Sequence, residues 1–184
     1  MQSETKQKKQ AFSAGVFEIF GTLLPALIVA ILVMTFLFRQ VVVDGESMEP
    51  TFYDGERLIL SVSYDTMPSN GDVIVISHPK GYDGRIIKRV IATEGQTLSI
   101  DFEKNEVVVD GVLLNESYIA GRTIQTDRNM EIPSVIPEGY VFVMGDNREA
   151  SLDSRSTMIG LIPVTSIMGK VQMRIMPFDR FTIF

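Results

Sequence analysis

Hydrophobic and polar positions divide the 184-residue chain into one long apolar run and many short alternating segments. The apolar run extends from Ile19 to Phe38 and contains 20 consecutive residues without a charge. A helix of this length rises about 30 Å, which is enough to cross the hydrocarbon core of a bilayer. The pattern therefore predicts a transmembrane helix, in which Pro25 is tolerated near the start. A buried helix of a globular domain is the alternative.

The charges that flank the apolar run indicate its direction. Lys6, Lys8 and Lys9 precede it, so the positive-inside rule places residues 1–18 in the cytoplasm and residues 39–184 on the extracytoplasmic side of the cell membrane. A cleavable signal peptide is the competing interpretation, but it would have a shorter apolar core followed by small residues. No Ala-x-Ala follows Phe38, so we expect residues 19–38 to be a retained, single-pass signal anchor.

After residue 40 the chain has short β-branched runs separated by turn residues and no long stretch of helical periodicity. An Asp-Gly pair at 110–111 between two valine-rich runs predicts a hairpin. We therefore predict a mainly β fold, a folded-sheet or barrel-like domain over 39–184 with a small β insertion at about 97–137. The predicted strands are Arg57–Val62, Asp72–Ile76, Arg85–Ala92, the hairpin Val107–Leu114, Tyr140–Met144 and a strand through Val171, Met173 and Ile175.

Composition excludes several classes of function. Residues from Arg39 onward carry 14 basic and 21 acidic side chains, so the domain would repel a phosphate backbone, and we expect no nucleic-acid partner. The chain has no cysteine and a single histidine, His78. A disulfide framework, a cysteine nucleophile and a metal site built from several histidines are therefore not expected.

Three segments carry candidate chemistry. Ser47 follows an apolar run and precedes the constrained Pro50, so it could be a nucleophile, although a turn serine is the commoner case. Lys88 lies in a predicted strand on the same face as Ile86, Val90 and Ala92, where burial would lower its pKa and make it a general base. The alternative is an edge strand from which Lys88 reaches water.

Neighbouring polar residues complete the candidate chemistry. Arg89 is predicted to point away from the Lys88 face into solvent. The third segment, 145–155, follows an apolar strand and is dense in hydrogen-bonding groups, which indicates a buried polar network in which Asp153 and Arg155 could pair. This loop could instead only support its neighbours.

Together these segments resemble the type I signal peptidases, in the short single-span form common in Gram-positive bacteria. The resemblance rests on four motifs in the family's order and spans most of the chain. They are Ser47-Met48-Glu49-Pro50-Thr51, Gly71-Asp72-Val73-Ile74-Val75, Lys88-Arg89, and Gly145-Asp146-Asn147-Arg148 through Ser151-Leu152-Asp153-Ser154-Arg155.

The resemblance implies a membrane-bound serine endopeptidase that removes signal peptides from secreted precursors after small residues. It implies that Ser47 attacks the peptide carbonyl, that neutral Lys88 is the base, and that an acyl-enzyme forms. Ser151 would hydrogen-bond and orient the lysine. The resemblance implies no cofactor and no metal, and its partners are precursor proteins and the lipid bilayer. It further implies a supporting ion pair, Asp153 and Arg155, with Asp146 and Arg148 in the same motif, and pockets lined by Val43, Met48, Ile86 and Ile87.

The sequence departs from the family pattern in two places. Gly45 stands where some members have a hydroxyl that helps bind the oxyanion, so the backbone N–H of Ser47 would be the main donor. Residues 92–96 lack the Pro and Asp of the usual loop. Three rival hypotheses remain: an inactive relative, which should lack Ser47 or Lys88; a soluble self-cleaving repressor, which has no membrane span; and a Ser–His enzyme that uses His78.

Overall fold

A computed structural model describes residues 20–32, 35, 37–62, 67–80, 82–126 and 128–184. Residues Arg39–Phe184 form one compact unit, and the segment before them forms another. Residues 20–32 are helical, and their large apolar side chains are exposed. Within the described residues, no helix combines the length and apolar character needed to span a membrane. The predicted cytoplasmic segment 1–18 and part of the predicted span lie outside the described residues, and the proposed domain boundaries stay a prediction.

The described part of the second unit is built around an eight-stranded sheet. Seven of its strands follow the order β1-β2-β10-β3-β4-β8-β9, and β11 pairs with β10. The strands are β1 (Phe38–Val42), β2 (Arg57–Ser61), β3 (Val73–Ser77), β4 (Arg85–Thr93), β8 (Tyr140–Met144), β9 (Ile162–Pro163), β10 (Ile167–Met176) and β11 (Thr182–Ile183). Two short 3₁₀ turns, Val164–Ser166 and Phe178–Arg180, flank β10.

A second sheet of three strands lies inside the predicted insertion. It consists of β5 (Leu98–Asp101), β6 (Glu106–Val109) and β7 (Val112–Leu113). Asp110 and Gly111 both have positive φ, 51° and 76°, which is the geometry of a tight hairpin turn between β6 and β7. The hairpin prediction is therefore confirmed, and so is the mainly β fold.

Three apolar clusters form the core and decide which strands pack together. One joins the segment that carries Ser47 to β2, β3 and β10 through Met48, Phe52, Leu58 and Val75. A second covers β3, β4 and β8, and a third lies between β4, β8 and the three-stranded sheet. Because Met48 and Phe52 are fully buried in the first cluster, the turn before them is fixed to the sheet.

Candidate active site

Ser47 lies in a tight turn that follows β1. The N–H of Glu49 donates to the carbonyl of Glu46 at 3.0 Å, and the N–H of Phe52 donates to the carbonyl of Met48 at 2.9 Å. Gly45 opens the turn at φ 88°, a conformation that favours glycine, and its N–H donates to Asp54 Oδ1 at 2.8 Å. The turn therefore presents a half-buried Ser47 on a backbone that its buried neighbours hold in place.

Lys88 on β4 contacts this serine directly. Its Nζ donates to Ser47 Oγ at 2.7 Å and to the Ile87 carbonyl at 2.9 Å. Only 3% of the lysine is exposed, so the alternative in which it reaches water is wrong. Burial lowers the pKa of Lys88 to about 8, although the negative charges of Asp153 and Asp146 oppose that shift. A lysine with such a pKa is partly neutral near neutral pH and can then accept a proton from the hydroxyl that it contacts.

The predicted face of β4 is only partly correct. Ile86 and Val90 pack in the same cluster, as the alternation predicts. Ala92 instead packs with Ile91 against the three-stranded sheet. The register between β4 and β8 shifts between Val90 and Ala92, and such an irregularity interrupts the strict alternation of side chains.

Arg89 is not the solvated side chain that the sequence predicts. Its guanidinium binds both carboxylate oxygens of Asp146, at 2.8 and 2.6 Å, and donates to the Gly71 carbonyl at 2.8 Å. Thr51 Oγ1 donates to the same carboxylate. Asp146 therefore connects the residue that follows Lys88 to the turn that carries Ser47. Local patterns could not reveal this pairing, because Arg89 and Asp146 are 57 positions apart.

The predicted pair of Asp153 and Arg155 is present and fully buried, with two hydrogen bonds of 2.8 Å. Asp153 also accepts the N–H of Gly145 at 3.0 Å. Arg148 forms a separate buried pair with Glu116, a residue outside the predicted site. These pairs tie 145–155 to the loops at 116–124, so the segment is the polar network that the sequence indicates.

Ser151 lies close to the turn that carries Ser47 but makes no hydrogen bond to Lys88. Its hydroxyl is buried and has no hydrogen-bond partner among the described residues, so the predicted bond to Lys88 is absent here. A Cβ added to Gly145 would lie 2.2 Å from Ser151 Oγ and 2.4 Å from the Ser47 carbonyl. The Ser151 hydroxyl and the Ser47 backbone thus both pack against Gly145.

A cleft of about 520 Å³ opens onto Ser47 and Lys88. The four predicted pocket residues, Val43, Met48, Ile86 and Ile87, all line it. The sequence did not indicate the other lining side chains, which include Gln40, Val42, Tyr82, Arg85, Ala150 and Leu152. His78 is exposed and is not among the lining residues. Among the described residues, no three His, Cys, Asp or Glu side chains are grouped where they could hold a metal ion.

A buried lysine amine that contacts a serine hydroxyl in a cleft is an arrangement that can activate the serine as a nucleophile. Comparison with known proteins identifies the family. Residues 16–176 match the family model described as signal peptidase, peptidase S26. The chain belongs to this family and is a serine peptidase.

Individual relatives carry the same name. Signal peptidase I of Bacillus amyloliquefaciens is 30% identical to the chain, and the match covers 96% of each protein. A probable signal peptidase I-1 of Synechocystis is 38% identical over 86% of this chain and 82% of its own length. A crystal structure of a signal peptidase I from Enterococcus faecalis has 28% sequence identity and a TM-score of 0.45, covering 57% of this chain and 97% of that one.

Proposed function

We propose that the protein removes N-terminal signal peptides from secreted precursors and cuts after small residues of the Ala-x-Ala type. In this proposal Ser47 is the nucleophile and Lys88 is the general base. The observation that supports it best is the 2.7 Å contact between Lys88 Nζ and Ser47 Oγ, made by a lysine whose burial lowers its pKa to about 8. The names of the relatives supply the reaction class.

The proposed reaction has two steps. Neutral Lys88 takes the hydroxyl proton while Ser47 Oγ bonds to the carbonyl carbon of the scissile peptide. The tetrahedral intermediate then collapses, the C–N bond breaks, and Lys88 passes the proton to the departing amine. Lys88 next takes a proton from water, which attacks the carbonyl carbon of the acyl-enzyme ester. This second tetrahedral intermediate collapses, the bond between the carbonyl carbon and Ser47 Oγ breaks, Lys88 returns the proton to Ser47, and the signal peptide leaves with a new carboxylate. No cofactor is needed for any of these transfers.

The oxyanion of each intermediate needs hydrogen-bond donors. The N–H of Ser47 has no acceptor among the described residues, so it is available for this role. The N–H of Gly45 is not available, because it donates to Asp54 Oδ1. We therefore assign the Ser47 N–H as the first donor.

The substrate would bind as an extended strand. Along β4, pairing with β8 begins at Arg89, so the backbone of 85–88 has no strand partner on that side among the described strands. β1 is an end strand of the sheet order. The cleft lies between these two segments, and a peptide can add to such open edges through backbone hydrogen bonds. In this proposal Val43, Met48, Ile86 and Ile87, which line the cleft, form the pockets for the small side chains near the cut.

We further propose that residues 19–38 anchor the enzyme in the cell membrane, with the catalytic domain outside the cytoplasm. The support is the charge-free run of 20 residues and the exposure of every large apolar side chain in the helix 20–32. Exposure of apolar side chains such as Leu23, Leu27 and Ile31 to water costs free energy, and contact with the lipid chains of a bilayer removes that cost.

Cleavage of a precursor with an Ala-x-Ala site, in detergent, tests the proposed chemistry. Wild type should cut it, and Ser47→Ala and Lys88→Ala should each lose activity by about a thousandfold or more while staying folded, since a nucleophile and its base fail together. His78→Ala is the matched control and should keep nearly full activity. If Lys88→Ala still cuts and His78→Ala does not, the base has been assigned wrongly.

A further inference from the structure

The cleft extends beyond the part that the proposed chemistry uses. Tyr82 and Val42 both line it, yet they are 45% and 55% exposed, which is high for large apolar side chains beside a catalytic centre. The hydroxyl of Tyr82 makes no hydrogen bond among the described residues. Both side chains therefore present apolar surface to the cleft.

Tyr82 is held in place by a closed loop. The N–H of His78 donates to the Gly84 carbonyl at 2.8 Å, and the N–H of Tyr82 donates to the Pro79 carbonyl at 3.0 Å. The aromatic ring lies against Gly84, since a Cβ there would be 3.1 Å from Tyr82 Cε1. Because Gly84 has no side chain, the Tyr82 ring can pack against its backbone beside the cleft.

The position of the ring along the cleft follows from strand geometry. Gly84 precedes β4 and is four residues before Lys88, so about 13 Å of extended backbone separates them. Val42 ends β1, five residues before Ser47, and lines the same cleft. Each of the two segments that line the cleft thus leads along the chain from one residue of this contact to one residue of the proposed catalytic pair.

We propose that Tyr82, with Val42 on the other wall, binds an apolar substrate side chain about four to six residues before the cut. The proposal rests on the proposed function, which places the small-residue pockets between this contact and Ser47. The charged lining residues nearby are Asp44, Glu46 and Arg85, which are of both signs and favour no single charge on the peptide. The aromatic ring and the valine instead offer surface that an aliphatic side chain covers on binding.

Matched peptides test this contact. Each has the same Ala-x-Ala site and carries leucine or asparagine at one of the positions four, five or six before the cut. Wild type should cleave the leucine peptide with a kcat/KM about tenfold higher at one of these positions, mainly through a lower KM, since the contact is equal in the ground and transition states. Tyr82→Ala should remove the preference, and Tyr82→Phe should retain it because the ring supplies the contact.

Tyr140→Ala is the control, because Tyr140 is a comparably exposed tyrosine that does not line the cleft. Tyr140→Ala should leave unchanged the ratio of kcat/KM for the leucine peptide to kcat/KM for the asparagine peptide. The proposal is overturned if Tyr82→Ala keeps that ratio, or if it lowers cleavage of both peptides equally. Failure of the proposed function has another signature: wild type would cut neither peptide, or Ser47→Ala would cut both.

Discussion

Lys88 Nζ lies 2.7 Å from Ser47 Oγ, although the two residues are 41 positions apart in the chain. An ammonium group has three N–H donors, and among the described residues only Ser47 Oγ and the Ile87 carbonyl accept from it. The fold therefore buries Lys88 without fully replacing the water that would solvate its charge. This incomplete compensation explains why its pKa falls from 10.5 to about 8 rather than rising beside the carboxylates of Asp146 and Asp153.

The first prediction is a rate that rises with pH. The active form of Lys88 is the neutral amine, whose fraction grows about tenfold per pH unit below the pKa of about 8 and becomes constant above it. A plot of log kcat/KM against pH should rise with a slope near one and level off around pH 8. The measurement must use a substrate whose cleavage is limited by chemistry. A flat profile from about pH 6 to 10 is incompatible with a lysine base.

The second prediction is that Lys88→Met inactivates the enzyme but stabilises it at neutral pH. The folded-state pKa of about 8 is below the unfolded value of 10.5, so burial of the protonated lysine costs free energy throughout the range below pH 8. Replacing it with an apolar side chain of similar length should raise the free energy of unfolding by about 1–3 kcal/mol at pH 7. Urea unfolding at several pH values measures this difference.

The pH dependence gives this prediction its sign. Between pH 8 and 10.5 the unfolded chain binds a proton that the native state does not, so wild type gains stability and the advantage of Lys88→Met should shrink. Lys170→Met is the control, because Lys170 is 42% exposed and its removal relieves no comparable burial. A variant that is less stable than wild type at pH 7 would contradict the burial cost.

The third prediction concerns Gly145, which has a negative φ and so is not required by backbone conformation. Its role is close approach: a Cβ would lie 2.4 Å from the Ser47 carbonyl and 2.2 Å from Ser151 Oγ. Gly145→Ala should displace the turn of Ser47 and reduce kcat at least tenfold, since small errors of position cost large factors in rate. Gly55→Ala has no atom within 4 Å of the added Cβ and is the steric control, although its positive φ should lower stability.

Combining Gly145→Ala with Ser151→Gly separates the two contacts. If the clash with Ser151 Oγ dominates, the double variant should recover part of the kcat lost by Gly145→Ala. If the carbonyl of Ser47 dominates, it should recover none. Unchanged kcat in Gly145→Ala itself would show that the turn tolerates displacement.

The sequence predicts what local patterns determine. β8 has the predicted bounds, Tyr140–Met144, because a five-residue apolar run ended by Gly145 and Asp146 is unambiguous. The hairpin around Asp110 and Gly111 is equally local. β1 is not predicted, because its first residue, Phe38, lies in the charge-free run assigned to the span. β5, β9 and β11 are not predicted either, because they have two to four residues and are specified by their partners in the sheets rather than by composition.

The site residues also fall into those that local sequence patterns indicate and those that only the fold reveals. Ser47 and Lys88 are distinguishable in the sequence, the first by its motif and the second as a lysine on an apolar strand face. The partners of Arg89 and Arg148 and the position of Tyr82 in the cleft cannot be recognised in the sequence, since they depend on which loops the fold brings together. The register shift in β4 after Val90 is also invisible to an alternation pattern, which assumes regular pairing.

The last prediction concerns Arg174, through which the C-terminal segment contacts the turn that carries Ser47. This arginine is 7% exposed and donates to the Thr51 carbonyl at 2.9 Å, to Glu56 Oε2 at 2.9 Å and to the Arg180 carbonyl at 2.7 Å. Its guanidinium also lies 5.9 Å from the ring centres of Phe52 and Phe184. Thr51, four residues after Ser47, is thus fixed by Arg174 on one side and Asp146 on the other.

Arg174→Met should therefore destabilise the protein by about 3 kcal/mol, because it removes the buried hydrogen-bonded partner of Glu56 Oε2 and leaves that carboxylate only its ion pair with the half-exposed Arg180. The double variant Arg174→Met with Glu56→Gln should lose less free energy of unfolding than the sum of the losses in the two single variants, since it leaves no buried unpaired charge. Lys104→Met removes the exposed pair with Asp101 and should change the denaturation midpoint little. Equal effects of the buried and exposed pairs, or strict additivity of the two buried changes, would show that Arg174 does not hold the turn through Glu56.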